Sequence, residues 1–199
     1  MTGRMTATGL KFADKEFPKV IFEEKMIESN RIYEGRILNV RCDKVTAVKG
    51  EAYREIVEHN GAVAMVAITS QHRVVMVRQY RYACGRSVLE IPAGKIEKGE
   101  TDPQKTAERE LREETGYTAK NIKYLGSINP SVGYSEEVIH IYGMTELIPG
   151  KQDPDEDEAL EVLEIDFDEA CNMAAEGKLI DAKTIAALMM AEKQMPGMR

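Results

Sequence analysis

Residues 103–115, PQKTAERELREET, form one well-punctuated helical stretch set among strand-like runs. Asp102 suits the N-cap, Pro103 the first helical position and Gly116 the C-terminal stop. Before it stand the apolar runs AVAMVAIT and RVVMVRQYR, joined by the turn SQH, and the shorter SVLEIP. A glycine-rich, charged loop, AGKIEKGETD, leads into the helix. After it come NIKYLGSI and EVIHIYGMTEL, separated by the loop NPSVGYSE, and then ALEVLEIDF. Two helices close the chain. One spans roughly residues 168–176 and stops at Gly177; the other follows Asp181, with Ile185, Leu188 and Met189 at i, i+3, i+4 as its core-facing stripe. Strands broken by one central helix and followed by two more give an α/β or α+β fold, with the sheet covered on both faces.

The 199 residues suit one domain with a small extra module. Residues 1–24 are polar and irregular and read as a loosely docked lead-in. Residues 25–59 hold three short β-type runs punctuated by Gly35 and Gly50, a small antiparallel module that must pack on the main domain or on another subunit. The main domain then covers residues 60–199. The net charge of −7 disfavours nonspecific nucleic-acid binding and suits recruitment of a divalent cation. The N-terminal residues have no apolar core of the kind a secretory signal needs, and the longest apolar run, AVAMVAI, is too short to span a bilayer. Cys42, Cys84 and Cys171 lack metal spacing and read as reduced structural thiols of a cytoplasmic protein. His59, His72 and His140 are equally scattered and read as packing or surface residues. The acidic segment QDPDEDEA reads as a solvated loop.

The central helix raises a problem of its own. At about 100° per residue, Glu110 and Glu114 stand one above the other and Glu113 flanks them, so three carboxylates share roughly 100° of one face. Like charges at this spacing repel, and the C-terminal end of a helix disfavours anions. Arg109 can pair with Glu113 and Arg112 can soften the field, so a solvated charged face accounts for the helix taken alone. The preceding PAGKIEKGE adds two glycines and Glu100. A loop offering carbonyls to a carboxylate-lined helix suits a hard cation such as magnesium, which takes oxygen ligands shared with phosphates.

At these residues the chain resembles the Nudix family. GKIEKGETDPQKTAERELREETGY is similar to the Nudix box at Gly94, Glu100, Arg109, Glu110, Leu111, Glu113, Glu114, Gly116 and Tyr117. Eight residues rather than seven separate Glu100 from Arg109, and the extra one falls in the loop around Thr101. The stretches REIVEHNGAVAMVAI, VVMVRQYRYA, LEIPAGK and GKLIDAKTIAALM resemble the ADP-ribose pyrophosphatase branch. Asn60 stands where that branch has proline. Val132 occupies the position of another branch proline, and the chain's own proline is Pro130.

The resemblance implies a Nudix-type mixed sheet sandwiched between helices, with the small antiparallel β-module at its N-terminus. It implies Mg²⁺-dependent hydrolysis (with Mn²⁺ as a substitute) of the ADP-ribose diphosphate to AMP and ribose 5-phosphate. The metal ligands it implies are Glu110 and Glu114, supported by Glu113 and the Ala93 carbonyl, with Arg109 bracing Glu113. The general base would be Glu137, with Glu136 as runner-up, on a loop to which Gly133 lends movement. Arg81 is the candidate for a diphosphate or ribose contact, because a guanidinium matches phosphate geometry, and Gly94 is a further substrate contact. Arg54 and Glu55 are weaker substrate contacts that serve equally well as a strand salt bridge. Tyr33, Tyr53 and Tyr134 are available to stack on adenine. The N-terminal module would build a homodimer and complete the partner's site. A sugar-nucleotide pyrophosphatase of the GDP-mannose type is the alternative within the chemistry. A non-catalytic module that senses ADP-ribose is the alternative outside it, and neither nucleic acid nor membrane is expected as a partner.

Overall fold

The computed structural model describes residues 22–154 and 159–196. The expected lead-in, up to residue 21, and residues 155–158 of the acidic segment lie outside the described residues.

Six consecutive residues of β4 (Ala62–Ala67) are buried, because both faces of this strand are covered. Successive side chains of a strand point to opposite faces. Ala62, Ala64 and Val66 accordingly join one core with Phe167, Ala170, Ala187 and Leu188. Val63, Met65 and Ala67 join a second core with Ala107, Leu111, Tyr142 and Met144. Helix α1 (Pro103–Thr115) closes the second core, and α2 (Phe167–Ala175) and α3 (Ala182–Gln194) close the first. Each large apolar side chain fully withdrawn from water here, such as Leu111, favours folding by about 1.5–3 kcal/mol.

The central sheet has the order β7-β4-β9-β8, from Ala93–Lys95, β4, Ile139–Ile148 and Thr118–Ile128. β4 and β9 run parallel, and the other pairs in this sheet are antiparallel. A second sheet, β10-β5-β6, pairs Glu161–Asp166, Arg73–Arg81 and Arg86–Glu90 antiparallel. The third is the N-terminal antiparallel sheet β1-β2-β3, from Met26–Glu34, Asn39–Ala47 and Gly50–Glu58. This is the mixed sheet between helices, with its N-terminal antiparallel addition, that the sequence led us to expect.

Three local expectations need correction. The loop AGKIEKGETD begins as strand β7, because the edge of β4 pairs with it: Val63 lies opposite Gly94, and Ile96 N–H donates to the Gly61 carbonyl at 3.1 Å. Pairing with an available edge overrides the weak strand preference of Ala-Gly-Lys. On α3 the buried side is Thr184, Ala187, Leu188 and Ala191, whereas Met189 is 41% exposed. Small residues face β4 and α2 there, and Met189, about 100° round the helix from Leu188, turns outward. The acidic segment is not wholly solvated, since Asp153 N–H donates to the Glu113 carbonyl at 2.9 Å and Gln152 Nε2 to the Glu114 carbonyl at 2.7 Å. These contacts satisfy carbonyls at the end of α1 that have no partner within the helix.

Candidate active site

The boundaries of α1 follow from its caps. Asp102 accepts the Gln104 N–H at 3.1 Å, Pro103 opens the helix, and Gly116 closes it at φ 78°. Within those limits the register puts Leu111 fully into the core and carries Glu114 in beside it, leaving that carboxylate only 3% exposed. A buried carboxylate demands partners. Glu114 Oε2 accepts the Ala93 N–H at 3.0 Å, which ties the helix to β7. One turn earlier, Glu110 lies against Gly94. A Cβ built on Gly94 would stand 1.9 Å from the Glu110 carboxyl carbon, so only glycine allows this approach. Ala93, Gly94, Glu110 and Glu114 are thus brought together.

Arg109 organises the carboxylates around it. Its Nη1 donates to Glu113 at 2.7 Å, its Nη2 reaches Glu110 at 2.9 Å, and its Nε donates to Glu100 at 3.2 Å. The i, i+4 ion pair between Arg109 and Glu113 is present. Despite the extra residue near Thr101, Glu100 therefore reaches Arg109. A tight turn helps, in which Glu100 N–H donates to the Glu97 carbonyl at 3.1 Å. Burial raises the Glu100 pKa, but the Glu97 N–H and Arg109 outweigh it and leave the carboxyl below its ordinary range. Burial likewise lowers the pKa of the Arg109 guanidinium, and its carboxylates more than reverse that.

Among the described residues no three His, Cys, Asp or Glu side chains converge as a preformed metal cluster. Glu110 and Glu113 turn partly toward Arg109 instead. The donor set still fits a hard cation. It offers carboxylates one turn apart, a glycine that clears space at one of them, and backbone of β7 alongside.

The loop 129–138 flanks the same end of the sheet. β4 lies between β7 and β9, with Val63 opposite both Gly94 and His140. Gly94 and His140 are therefore two strand spacings apart, about 9.6 Å. Glu136 pairs with Arg41 at 2.6 Å, and Glu137 Oε1 lies 3.8 Å from His59 Nδ1. His59 Nδ1 accepts the Gly61 N–H at 3.1 Å. The loop is anchored rather than loose, with Val57 N–H donating to Tyr134 O at 2.7 Å and Glu136 N–H to Val57 O at 3.0 Å.

Arg81 grips Glu90 through Nε at 2.7 Å and Nη2 at 2.8 Å. Glu90 also receives Lys183 Nζ, which reaches Asp181 at 2.9 Å. Glu114 and Asp181 add to the field that raises the Arg81 pKa, after the larger effect of Glu90. Arg54 and Glu55 are not drawn into this group. Arg54 donates to Glu24 at 2.9 Å, and Glu55 is exposed on β3 opposite Cys42. Tyr33, Tyr53 and Tyr134 are all exposed, by 56%, 66% and 56%. A surface hollow of about 680 Å³ between α1, β8 and the end of α3 is lined by Gln104, Glu108 and Asn121, not by the carboxylates of the box.

A family model described as the NUDIX domain matches residues 58–188. That span holds the whole of α1, the central sheet and the anchored loop. The chain belongs to the Nudix family. Over 178 residues it is 42% identical to a methanol dehydrogenase activator of Bacillus methanolicus, covering 87% of this chain and 95% of that one. Over 169 residues it is 41% identical to an ADP-ribose pyrophosphatase of Bacillus subtilis (strain 168), covering 83% of this chain and 91% of that one. A solved structure described as an ADP compounds hydrolase superposes with a TM-score of 0.78 at 20% identity, over 90% of this chain and 98% of that one, and shows the shared fold. The chain is thus a Nudix hydrolase, a family that works with divalent metal ions.

No pattern in the sequence singles out Arg41, Glu90 or Lys183, and His59 reads there only as a packing or surface residue. Arg41 and Glu136 are 95 positions apart and Glu90 and Lys183 are 93 apart, so no local pattern could pair them.

Proposed function

We propose that this Nudix hydrolase cleaves the diphosphate of ADP-ribose to AMP and ribose 5-phosphate in a Mg²⁺-dependent reaction. The observation that carries the reading is the carboxylate pair Glu110–Glu114 seated on the backbone of Ala93 and Gly94. The substrate follows from 41% identity to an ADP-ribose pyrophosphatase over 91% of its length. Glu110, Glu114 and the Ala93 carbonyl would hold the cation, with Glu113 kept in place by Arg109. Bound Mg²⁺ supplies positive charge that offsets the diphosphate and lowers the pKa of a water. Glu137 takes the proton from the attacking water, Glu136 being the second candidate. The new P–O bond forms as the P–O–P bridge breaks, leaving one phosphate on each product. Arg81 keeps one edge, Nη1, beyond its two bonds to Glu90, and a guanidinium edge matches a phosphate oxygen. Gly94, whose missing side chain makes room for the Glu110 carboxylate, would face the diphosphate through its backbone, and Arg54 and Glu55 reach a substrate only if a second copy brings one to them.

A homodimer fits the N-terminal sheet, where every residue of β1 is exposed, Met26, Ile27, Ile32 and Tyr33 included. In this reading residues 25–59 are a dimerisation module and residues 60–199 the hydrolase domain. Three cysteines far apart in the chain fit the reducing cytoplasm. Among the described residues, no helix is long and apolar enough to cross a membrane.

The deciding experiment incubates the protein and Mg²⁺ with ADP-ribose, GDP-mannose, dinucleotides and nucleoside triphosphates, and identifies the products. AMP and ribose 5-phosphate at the highest kcat/KM is the expected result. Preference for GDP-mannose would reassign the substrate. Failure to turn over any of them would favour a module that only binds ADP-ribose. The dinucleotides belong in the panel because they carry the same diphosphate bond, and because the 42%-identical relative is named for activating a dehydrogenase.

A further inference from the structure

Arg41 lies in β2, outside the Nudix box, yet three carboxylates from three parts of the chain converge on it. Nε donates to Asp43 at 2.8 Å on its own strand, Nη1 to Glu58 at 2.9 Å at the end of β3, and Nη2 to Glu136 at 2.6 Å in the loop. Its side chain is only 21% exposed, and that of Asp43 8%. The cluster is built rather than incidental: Ser29 Oγ donates to Asp43 at 2.5 Å, and Arg31 is a second cation on Glu58.

The same loop is fixed by backbone at both ends. Val57 of β3 donates its N–H to the Tyr134 carbonyl and accepts the Glu136 N–H at its own carbonyl, and Ala62 N–H donates to Val138 O at 2.9 Å. Glu137 therefore sits between a residue tied to β3 and one tied to β4. Its carboxylate lies 3.8 Å from His59 Nδ1, while that of Glu136 is bonded to Arg41. We propose that Arg41 is a positioning residue, which grips Glu136 and so fixes the loop that presents Glu137 to the diphosphate. This rests on the reading of Glu137 as general base. It gives the N-terminal sheet a role within its own chain, separate from any part in dimerisation. A planar guanidinium can serve three carboxylates in three directions, which a lysine point charge cannot.

The test uses the full chain with Mg²⁺ and ADP-ribose. It compares Arg41→Gln, Arg41→Lys, Glu136→Gln, Glu137→Gln and the Arg41→Gln/Glu136→Gln pair. Misplacing a reacting group by about 1 Å costs up to about 100-fold, so kcat should fall about 10- to 100-fold in Arg41→Gln and Glu136→Gln while KM stays within about threefold. The double variant should be no slower than the slower single one, because both changes break one contact. Hydrogen exchange at the Glu136 amide should quicken in both, and Arg41→Lys should recover only part of kcat. The acid limb of the kcat–pH profile should persist in Glu136→Gln and vanish in Glu137→Gln.

Wild-type kcat with unchanged Glu136 exchange in either single variant overturns the proposal, as does an additive double variant. Loss of the acid limb in Glu136→Gln also overturns it, by making Glu136 itself the base. If Arg41→Gln does not fold, Glu136→Gln, whose side chain is 49% exposed, carries the same measurements. Full activity in Glu137→Gln would remove the base assignment and the presenting role with it, and the Glu136 exchange rate would then report whether Arg41 holds the loop at all.

Discussion

Gly94 and Glu114 separate stability from catalysis unusually well. Gly94 does not have the left-handed backbone that favours glycine; its constraint is the Glu110 carboxylate, which occupies the place a Cβ would take. A methyl group would push aside the far end of a flexible side chain rather than backbone. Gly94→Ala should therefore fold with a near-normal Tm and lose about 10- to 100-fold in kcat, since a displaced ligand is a misplaced reacting group. A thermal melt beside a kinetic assay checks both halves. Glu114→Gln makes a related separation. The amide oxygen can still accept the Ala93 N–H, but the charge is gone. We expect at least about a hundredfold loss of kcat, the scale of losing a principal electrostatic stabiliser. Near-normal turnover would refute its role at the metal.

At the scale of elements, the ties between strands and helices are ionic as well as apolar. Glu90 at the end of β6 is 2% exposed and binds Arg81 of β5 and Lys183 of α3. Thr184 Oγ1 adds a bond from the Ile91 N–H at 2.9 Å and donates to Asp181, the N-cap of α3, at 2.5 Å. Removing one partner of a buried pair costs about 3–5 kcal/mol, because the others stay buried without it. Glu90→Gln should lower Tm by roughly 6–20 °C, at about 2–4 °C per kcal/mol for a chain of this size. It should also raise KM, since Arg81 loses its anchor. A variant with unchanged Tm would show that Lys183 and Asp181 suffice without Glu90.

For the whole molecule, the perturbed groups set an acid limit to stability. Burial holds His140 below its ordinary value of 6.5. The unfolded chain then binds the proton at higher pH than the folded one, so stability is full above 6.5 and declines as pH falls below it. Burial raises the Glu90 pKa, but Arg81 and Lys183 outweigh it and leave the group below 4.5. The bond from Ser29, then Arg41, holds Asp43 below 3.8. Both carboxylates stabilise the fold above their unfolded values, and that contribution is lost as pH falls through their folded ones. Tm against pH should show a first decline below about 6.5 and a steeper one below about 4.5. His140→Gln should remove the first and keep the second; an unchanged first decline would assign it to another group.

Much of this protein was legible in its chain. Asp102, Pro103 and Gly116 mark α1 to the residue, because caps act through bonds to neighbours a few positions away. The spacing of Glu110, Glu113 and Glu114 puts them on one face for the same local reason, and the box around them identifies the family. Other features depend on partners far along the chain. Ala93–Lys95 becomes a strand because β4 has an edge to fill. Met189 turns outward because α3 packs through smaller residues. Gly94 is required by a side chain sixteen positions away that folds back onto it. Arg41 finds Glu136, and Glu90 finds Lys183, only when the sheets and helices stack. Local bonding reports itself in the order of residues, whereas a contact between distant segments exists only once the backbone has brought them together.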